Sequence, residues 1–254
     1  MAKHYVVVGG TKGVGRILVE SLCGRDRRVS VLSRKRPPHA HADVLYRETD
    51  ICNSETTRRQ LKHIIRVNGP VNYLVFAQRF RGSGDKWHGE IDTTLTASRE
   101  IVRNLSKSFA IKGDKAIVFI GSVAAQFILP EQDAAYHVAR AGLLQLMRYY
   151  AMALGPMGVR VNCVSMGTML KDEALPFYES NRGLLNSKSG LSPLGRMGRP
   201  KDVVDAVSFL CSNRASFVTG HNLIVDGGIT MLGHETLARS VQGQDVLHFD
   251  EYQL

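Results

Sequence analysis

The stretch Val6-Val7-Val8-Gly9-Gly10-Thr11-Lys12-Gly13-Val14-Gly15 decides the fold of this chain. Its β-branched apolar run is too short for a buried helix and leads into a turn with four glycines. Behind the turn, apolar residues recur at helical spacing, at Val14, Ile17, Leu18 and Leu22. The stretch therefore predicts a strand, a glycine turn and a helix, a combination that lets backbone N–H groups approach a phosphate.

The glycine spacing, Gly9-x-x-x-Gly13-x-Gly15, differs from the G-x-G-x-x-G of two-domain dehydrogenases. A plain tight turn is the alternative explanation, so the rest of the chain has to decide. Strand and helix patterns alternate along the chain without a repeat or a linker. We therefore predict a single-domain α/β fold, a Rossmann-like doubly wound parallel sheet of about seven strands flanked by helices.

The remaining elements follow from apolar periodicity and from Gly-Pro breaks. The further predicted strands cover residues 29–33, 44–48, 73–77, 116–120, 159–164 and 222–225. Helices are predicted through Leu61–Ile65 up to Gly69-Pro70, and over 94–109, 134–154 and 203–210. Residues 168–192 are polar, and we expect an irregular, mobile flap over a site.

Length and composition indicate one large domain and no membrane span. The 254 residues suffice for a single core, which we assign to residues 1–228, followed by a C-terminal extension over 229–254. Met1-Ala2-Lys3 leads directly into a strand, so we expect no signal peptide. The cysteines are scattered and His39 and His41 lack partners at ligand spacing, so we expect a cytoplasmic protein without a metal site.

The formal charge of +10 raises the question of an anionic partner. Basic residues cluster at Arg25–Arg28, at Arg34–Arg36 and at Arg58–Arg66. No aromatic residues interleave with them and no nucleic-acid-binding motif accompanies them. We expect an anionic small molecule as the partner, and neither nucleic acid nor a membrane.

The second strand ends at Ser33-Arg34, without the carboxylate that holds the adenosine ribose in many dinucleotide-binding folds. An arginine at this place can bind a 2′-phosphate, and Lys12 can add a second positive charge. The alternative is that both are ordinary surface cations. Their joint placement favours NADP(H) over NAD(H), and Asp50, at the end of the third strand, is expected to bond the adenine.

The chain resembles the short-chain dehydrogenase/reductase family along almost its whole length. The resemblance is carried by the glycine turn, by Ser122 after an apolar strand, and by Tyr136 fourteen residues later. It is also carried by a final block, Pro193–Pro200, Thr219–His221 and Val225–Gly228, which resembles bacterial 3-oxoacyl-carrier-protein reductases.

The resemblance implies hydride transfer between a nicotinamide and a carbonyl or alcohol carbon. Tyr136 would give a proton to the developing alkoxide and Ser122 would hydrogen-bond the same oxygen. A phenol ordinarily titrates near pH ~10, so it needs a cation beside it to act near neutrality. The family places a lysine four residues after the tyrosine, and this chain has Arg140, which keeps the charge but cannot release a proton.

Further departures from the family pattern lie at the reactive end of the cofactor site. The relay asparagine falls at Thr94, and the Asn-Asn-Ala-Gly of the family appears as Val75-Phe76-Ala77-Gln78. The Pro-Gly after the sixth strand is Met166-Gly167, and the threonine that bonds the carboxamide is Lys171. The adenine-end signals survive.

The predicted catalytic residues are therefore Ser122, Tyr136 and Arg140. The predicted cofactor-binding residues are Gly9, Thr11, Lys12, Gly13, Val14, Gly15, Ser33, Arg34, Asp50, Ile51, Ala77, Arg140 and Gly167. Two hypotheses follow: an NADP(H)-dependent reductase in which Arg140 replaces the lysine, or a nucleotide-binding protein that has lost redox turnover. Retention of Ser122 and Tyr136 favours the reductase.

The substrate and the assembly are less well specified. Cations beside the expected site, Arg79, Arg81, Lys171 and Arg182, favour an anionic substrate such as an acyl thioester or a sugar phosphate, with solvated loop cations as the alternative. The family commonly forms homotetramers through the helices that begin here near Thr94 and Ala134, so we expect a tetramer or a dimer. The apolar stripe on the second helix fits that pairing and equally fits core packing.

Overall fold

The predicted alternation of strands and helices is confirmed as one seven-stranded, entirely parallel sheet in the order β3-β2-β1-β4-β5-β6-β7. The computed structural model describes residues 2–24 and 26–241. The strands are β1 (Lys3–Val8), β2 (Arg27–Ser33), β3 (Val44–Glu48), β4 (Tyr73–Phe76), β5 (Lys115–Ser122), β6 (Val159–Met166) and β7 (Asn222–Val225). The chain reverses its winding between β1 and β4, and ligands bind outside the carboxyl ends of the strands at such a switch point.

Helices cover both faces of the sheet. In the described part of the chain they are α1 (Gly13–Leu22), α2 (Ser54–Asn68), α3 (Lys86–Ile91), α4 (Ala97–Leu105), α5 (Ala134–Leu154), α6 (Leu175–Ser180), α7 (Arg182–Gly190), α8 (Pro200–Leu210) and α9 (His234–Val241). No helix in the described residues is long and apolar enough to cross a membrane.

Alternate residues of each strand supply two separate cores. On one face Val6 and Val8 of β1 pack with side chains from α2, α4 and α5. On the other face Val7 packs with side chains from α1 and α8. Every strand residue from His4 to Val8 is therefore buried, which is why the strand reads as a continuous apolar run.

The apolar stripe predicted on α5 belongs to the core. Its members are all buried and pack in one cluster with the central strands: Leu143, Leu144, Met147, Ala151 and Leu154. Of the two explanations left open by the sequence, core packing is therefore the correct one for these residues. A different face of α5 remains exposed at Val138, Tyr149 and Met152.

Two predicted segments differ from the structure. The helix expected over 94–109 begins at Lys86 and ends at Leu105, and a π-helical turn over Asp92–Thr96 separates α3 from α4. The expectation of an irregular flap over 168–192 was wrong, since α6 and α7 lie there. Tyr178 is buried and anchors α6, although neighbouring side chains of the segment are exposed.

The predicted extension over 229–254 is described in part. A short 3-10 turn over Ile229–Met231 is followed by α9. Residues 242–254 lie outside the described residues.

Candidate active site

The glycine turn after β1 is too tightly packed to accept side chains. Gly9 has a φ of +86°, and a Cβ there would lie 2.6 Å from the backbone nitrogen of Gln78. A Cβ on Gly15 would overlap the carbonyl oxygen of Gly9. The turn is tied to the next strand because the Gly9 N–H donates to the carbonyl of Leu32 at 2.9 Å. The chain therefore presents bare backbone where α1 begins, as phosphate binding requires.

Lys12 and Arg34 follow two neighbouring strands. Val8 of β1 is in register with Leu32 of β2, so the loops after these strands lie side by side at one edge of the sheet. Both cationic side chains are exposed, and neither forms an ion pair within the described residues. The structure thus places both cations on adjoining loops, and their role in binding a 2′-phosphate stays a prediction. Ser33 is buried and donates its hydroxyl to the carbonyl of Lys35 at 3.0 Å.

Asp50 is held by its own loop. Its Oδ1 accepts the N–H of Cys52 at 3.0 Å, which forms a turn that leaves the second carboxylate oxygen available. Ile51 is half-buried against the core. Ala77 directly follows β4 and would contact a Cβ on Gly15 at 3.2 Å, so it abuts the glycine turn. These positions are consistent with the predicted cofactor site, and the roles of the three residues stay predictions.

Ser122 and Tyr136 lie at the carboxyl end of the sheet. Ser122 is the last residue of β5 and is buried, and its oxygen accepts the N–H of Ala124 at 3.1 Å. The hydroxyl still carries a proton that it can donate. The turn formed by Val123–Ala125 packs against α5, whose third residue is Tyr136. The tyrosine is 8% exposed, so only a small part of it reaches solvent.

Arg140 lies beneath Tyr136, one helical turn further along α5. Its guanidinium carbon is 4.8 Å from the centroid of the Tyr136 ring. The residue is 4% exposed, and its Nε has no hydrogen-bond partner within the described residues. Burial raises the pKa of the Cys163 thiol to about 12, with the Ser165 hydroxyl and the Arg140 guanidinium acting in the opposite direction. Arg140 therefore lies near Cys163 on β6 as well as against the tyrosine.

Glu90 is the main site residue that the sequence did not predict. It lies on α3, is 6% exposed, and its Oε2 is 3.9 Å from a terminal nitrogen of Arg140. The Thr94 hydroxyl donates to the same oxygen at 3.4 Å. A buried guanidinium needs a counter-charge, and Glu90 supplies it. The available signal was a carboxylate four residues before Thr94, but the predicted helix began at Thr94 and left Glu90 in a loop.

The π-helical turn is stabilised by Gln78, which stands where the family has glycine. Its side-chain amide donates to the carbonyl of Thr93 at 3.3 Å and to the Ser98 hydroxyl at 2.9 Å. A π turn leaves a backbone carbonyl without its usual helical partner, and such turns are frequent at functional sites. Gln78 therefore helps to hold the bend that brings Glu90 and Thr94 to Arg140.

Lys171 follows β6 and lies near other cations. Burial lowers its pKa, and the positive charges of Arg79 and Arg81 lower it further. The Arg79 guanidinium carbon is 5.1 Å from the centroid of the Tyr136 ring, on which Arg140 also stacks. Gly167, four residues before Lys171, has a backbone so close to Asp226 that a Cβ would lie 2.8 Å from the aspartate Cβ.

The residues present fit a nicotinamide dinucleotide. The glycine turn offers a cradle that a Cβ would fill, and α1 has no acidic residue in its first turn to repel a pyrophosphate. The buried Nε of Arg140 is a donor without a partner in the described residues, in the place where the resemblance puts the nicotinamide ribose. Sheet order, glycine turn and the pair of Ser122 and Tyr136 define a class, the Rossmann-fold oxidoreductases that bind nicotinamide nucleotides.

Comparison with known families identifies the group within this class. A family model described as Enoyl-(Acyl carrier protein) reductase matches residues 21–230. The chain belongs to the short-chain dehydrogenase/reductase family, which confirms the resemblance stated above.

Curated relatives cover nearly the whole chain. An uncharacterized oxidoreductase of Schizosaccharomyces pombe is 26% identical over 251 residues, with 94% of this chain and 95% of that protein covered. The 3-oxoacyl-[acyl-carrier-protein] reductase MabA of Mycobacterium bovis is 28% identical over 242 residues, with 92% and 95% covered.

Solved structures agree with the observed fold. The ligand-free aldohexose dehydrogenase of Thermoplasma acidophilum has a TM-score of 0.81 at 25% identity, with 92% of this chain and 96% of that chain covered. An NADPH-bound short chain oxidoreductase of Pseudomonas aeruginosa, described as containing an atypical catalytic center, has a TM-score of 0.77 at 25% identity, with 91% and 98% covered.

Proposed function

We propose that this protein is an NADP(H)-dependent oxidoreductase that reduces a ketone through Ser122, Tyr136 and Arg140. The observation that carries the proposal is the stacking of Tyr136 on a buried guanidinium whose Nε is left without a partner in the described residues. When bound, the nicotinamide supplies the hydride or accepts it in the reverse direction. The expected substrate is anionic or is carried as a thioester.

The chain's own residues divide the remaining work. Tyr136 gives its proton to the substrate oxygen, and the Ser122 hydroxyl donates a hydrogen bond to the same oxygen. The Arg140 charge stabilises the tyrosinate that remains, and its Nε binds a ribose hydroxyl of the cofactor. Arg140 cannot pass on a proton. The tyrosine is therefore reprotonated by another route, directly from solvent at the 8% of its surface that is exposed.

The preference for NADP(H) is proposed from Arg34 and Lys12. Both cations are exposed on adjoining loops, and no carboxylate stands at the end of β2. Guanidinium and ammonium groups bind a phosphate through charge-assisted hydrogen bonds, which the NAD(H) ribose does not offer. Gly9, Thr11, Gly13, Val14 and Gly15 would hold the pyrophosphate, whereas Asp50, Ile51, Ala77 and Gly167 would line the remaining cofactor site.

A second candidate is a nucleotide-binding protein without redox turnover. The observation that favours it is Lys171, which stands in place of the threonine that the family uses for the carboxamide. The neutralisation of Arg140 by Glu90 points in the same direction, because it weakens the field at Tyr136. Ser122 and Tyr136 have no purpose in this alternative.

The first experiment separates the two candidates by turnover. NADPH oxidation is followed with a broad panel of ketones, using the wild type, Tyr136→Phe and the control Tyr5→Phe, which alters a tyrosine in the first half of β1. We expect turnover in the wild type, a loss of at least ~100-fold with Tyr136→Phe, and little change in the control. NADPH binding without turnover by the wild type would establish the second candidate.

The second experiment tests the cofactor preference. NADPH and NADH affinities are measured by calorimetry on the wild type, on Arg34→Ala and on the control Arg59→Ala, an exposed arginine on α2. We expect Arg34→Ala to weaken NADPH at least ~10-fold while NADH changes little. An equal loss for both nucleotides would refute the 2′-phosphate contact.

We also propose a cytoplasmic homo-oligomer, either a tetramer or a dimer. The exposed apolar side chains Val138, Tyr149 and Met152 lie on α5, the helix that the resemblance implicates in pairing. Met152→Lys would place a charge in that contact, and light scattering after size exclusion would then report a smaller assembly. An unchanged mass would show that α5 is not the interface.

A further inference from the structure

Three cations, Arg79, Arg81 and Lys171, lie near one another beside Tyr136, and we call them the basic mouth. Arg79 lies against the tyrosine ring at 5.1 Å and is held there because its guanidinium donates to Gln132 at 3.0 Å. It reaches this place from the loop directly after β4, whereas Lys171 reaches it from the loop after β6. The sheet therefore brings together cations that are far apart in the sequence.

The cations of the basic mouth lie close enough to repel one another. Burial lowers the pKa of Lys171, and the charges of Arg79 and Arg81 lower it further, while Glu173 and Tyr136 act in the opposite direction. Such mutual repulsion is relieved when an anion binds between the cations.

Two of the carboxylates nearby are engaged elsewhere, whereas Glu173 acts on Lys171 without forming an ion pair in the described residues. Asp172, next to Lys171, pairs with Arg16 at 2.9 Å, and Asp133, next to Gln132, pairs with Lys86 at 2.9 Å. Within residues 2–24 and 26–241, none of the three cations of the basic mouth forms an ion pair. The charge of the mouth is therefore available to a ligand that approaches Tyr136.

We propose that the basic mouth binds the carboxylate of a short oxo acid whose ketone oxygen lies at Tyr136 and Ser122, an inference that rests on the proposed function. Because the Arg79 guanidinium carbon is 5.1 Å from the centroid of the Tyr136 ring, a carboxylate bound by Arg79 would be only a few bonds from a carbonyl that takes the tyrosine proton. A thioester carries no charge at that distance, since its phosphates lie at the far end of a long pantetheine arm. The site is therefore expected to prefer free oxo acids to their thioesters.

The reaction leaves the carboxylate unchanged. The ketone carbon forms a C–H bond with a hydride from NADPH, and the C=O π electrons become the oxygen lone pair that takes the Tyr136 proton. The products are a hydroxy acid and NADP+, and the tyrosine regains its proton from water. Arg79 and Lys171 act only by holding the substrate.

The test compares a charged substrate with its neutral ester, acetoacetate and methyl acetoacetate, through the ratio of their kcat/KM values. The proteins are the wild type, Arg79→Gln, Lys171→Gln and the control Lys107→Gln, which removes an exposed lysine beyond the end of α4. We expect the wild type to prefer the acid at least ~10-fold, and each mouth variant to reduce that ratio at least ~5-fold. The control should keep the wild-type ratio.

A second measurement uses the wild type alone. Added salt screens the attraction between an anion and a partly exposed cationic site. The ratio of kcat/KM for acetoacetate to kcat/KM for methyl acetoacetate should therefore fall as ionic strength rises from about 0.01 M to about 1 M, because the screening length shrinks from ~30 Å to ~3 Å over this range. A wild type that prefers the ester, or a ratio unaffected by salt and by both mouth variants, would overturn the inference.

Failure of the proposed function is distinguishable from failure of this inference. If neither substrate is reduced, acetoacetate binding to the protein saturated with NADP+ is measured by calorimetry. If Lys171→Gln weakens this binding at least ~5-fold and Lys107→Gln leaves it unchanged, the result supports the basic mouth even though the reductase proposal fails. No binding of acetoacetate would overturn the inference itself.

Discussion

Removal of the charge on Glu90 should destabilise the protein more than any other single carboxylate-to-amide change near the site. The carboxylate is 3.9 Å from the Arg140 guanidinium, and the two side chains are only 8% and 5% exposed. At that separation and an effective dielectric constant near 20, their attraction is ~4 kcal/mol. The substitution Glu90→Gln keeps the shape and one acceptor oxygen, so part of the interaction survives.

We expect Glu90→Gln to lower the free energy of unfolding by ~2 kcal/mol, less than the ~3–5 kcal/mol typical when one partner of a closely hydrogen-bonded buried pair is removed. For a chain of 254 residues that corresponds to a fall in Tm of ~4–8 °C. Urea unfolding and calorimetry provide the measurements.

The matched control is Glu100→Gln on α4. Glu100 accepts from Arg99 at 2.9 Å, but the two arginines it contacts are 63% and 75% exposed. Solvent and salt screen such pairs, so we expect a change within ~0.5 kcal/mol. The difference between the two variants isolates the effect of burial.

A double-mutant cycle with Arg140→Met makes the reasoning refutable. If Glu90 compensates the buried guanidinium, Arg140→Met should relieve most of the loss caused by Glu90→Gln, with a coupling energy of at least ~1 kcal/mol. Additive effects, or a loss with Glu90→Gln no greater than in Glu100→Gln, would show that Glu90 does not stabilise Arg140.

Two further predictions concern the glycine turn and His4, near the amino end of β1. Gly15→Ala should lower the free energy of unfolding by ~1–3 kcal/mol and weaken NADPH binding at least ~10-fold, because the new Cβ overlaps the Gly9 carbonyl. The control is Gly183→Ala, since a Cβ at Gly183 has open space around it. Denaturation and calorimetry are the measurements, and equal effects of the two substitutions would refute the clash. His4 is buried between the Ser30 hydroxyl and the Gly69 carbonyl, and burial lowers its pKa below 6.5. As the pH falls, His4 is protonated in the unfolded chain before it is protonated in the folded protein, so the free energy of unfolding should decrease as the pH drops below 6.5. His4→Gln should flatten that part of the curve in urea unfolding, and an unaltered slope would contradict the assignment.

Much of the fold was predictable because its signals are local. The bounds of β3, α5 and β7 agree with the structure, since each carries apolar residues at the period of its element and ends at turn residues. The helix after β4 was misplaced because a π turn over Asp92–Thr96 breaks its period, and the turn depends on Gln78 from another part of the chain. Helices α6 and α7 were missed because they are short, six and nine residues, and carry little apolar periodicity.

The sequence by itself determined the class of this protein, since glycines, β-branched runs and the Ser122–Tyr136 spacing act through backbone geometry and short-range periodicity. It also disclosed Arg140 as a departure from the family. Only the tertiary structure decided what surrounds that arginine. Glu90 arrives from α3, Arg79 from the loop after β4 and Lys171 from the loop after β6. Burial and charge pairing depend on which loops meet at the end of a sheet, and that meeting is set by strand order, a non-local property that no window of the sequence contains.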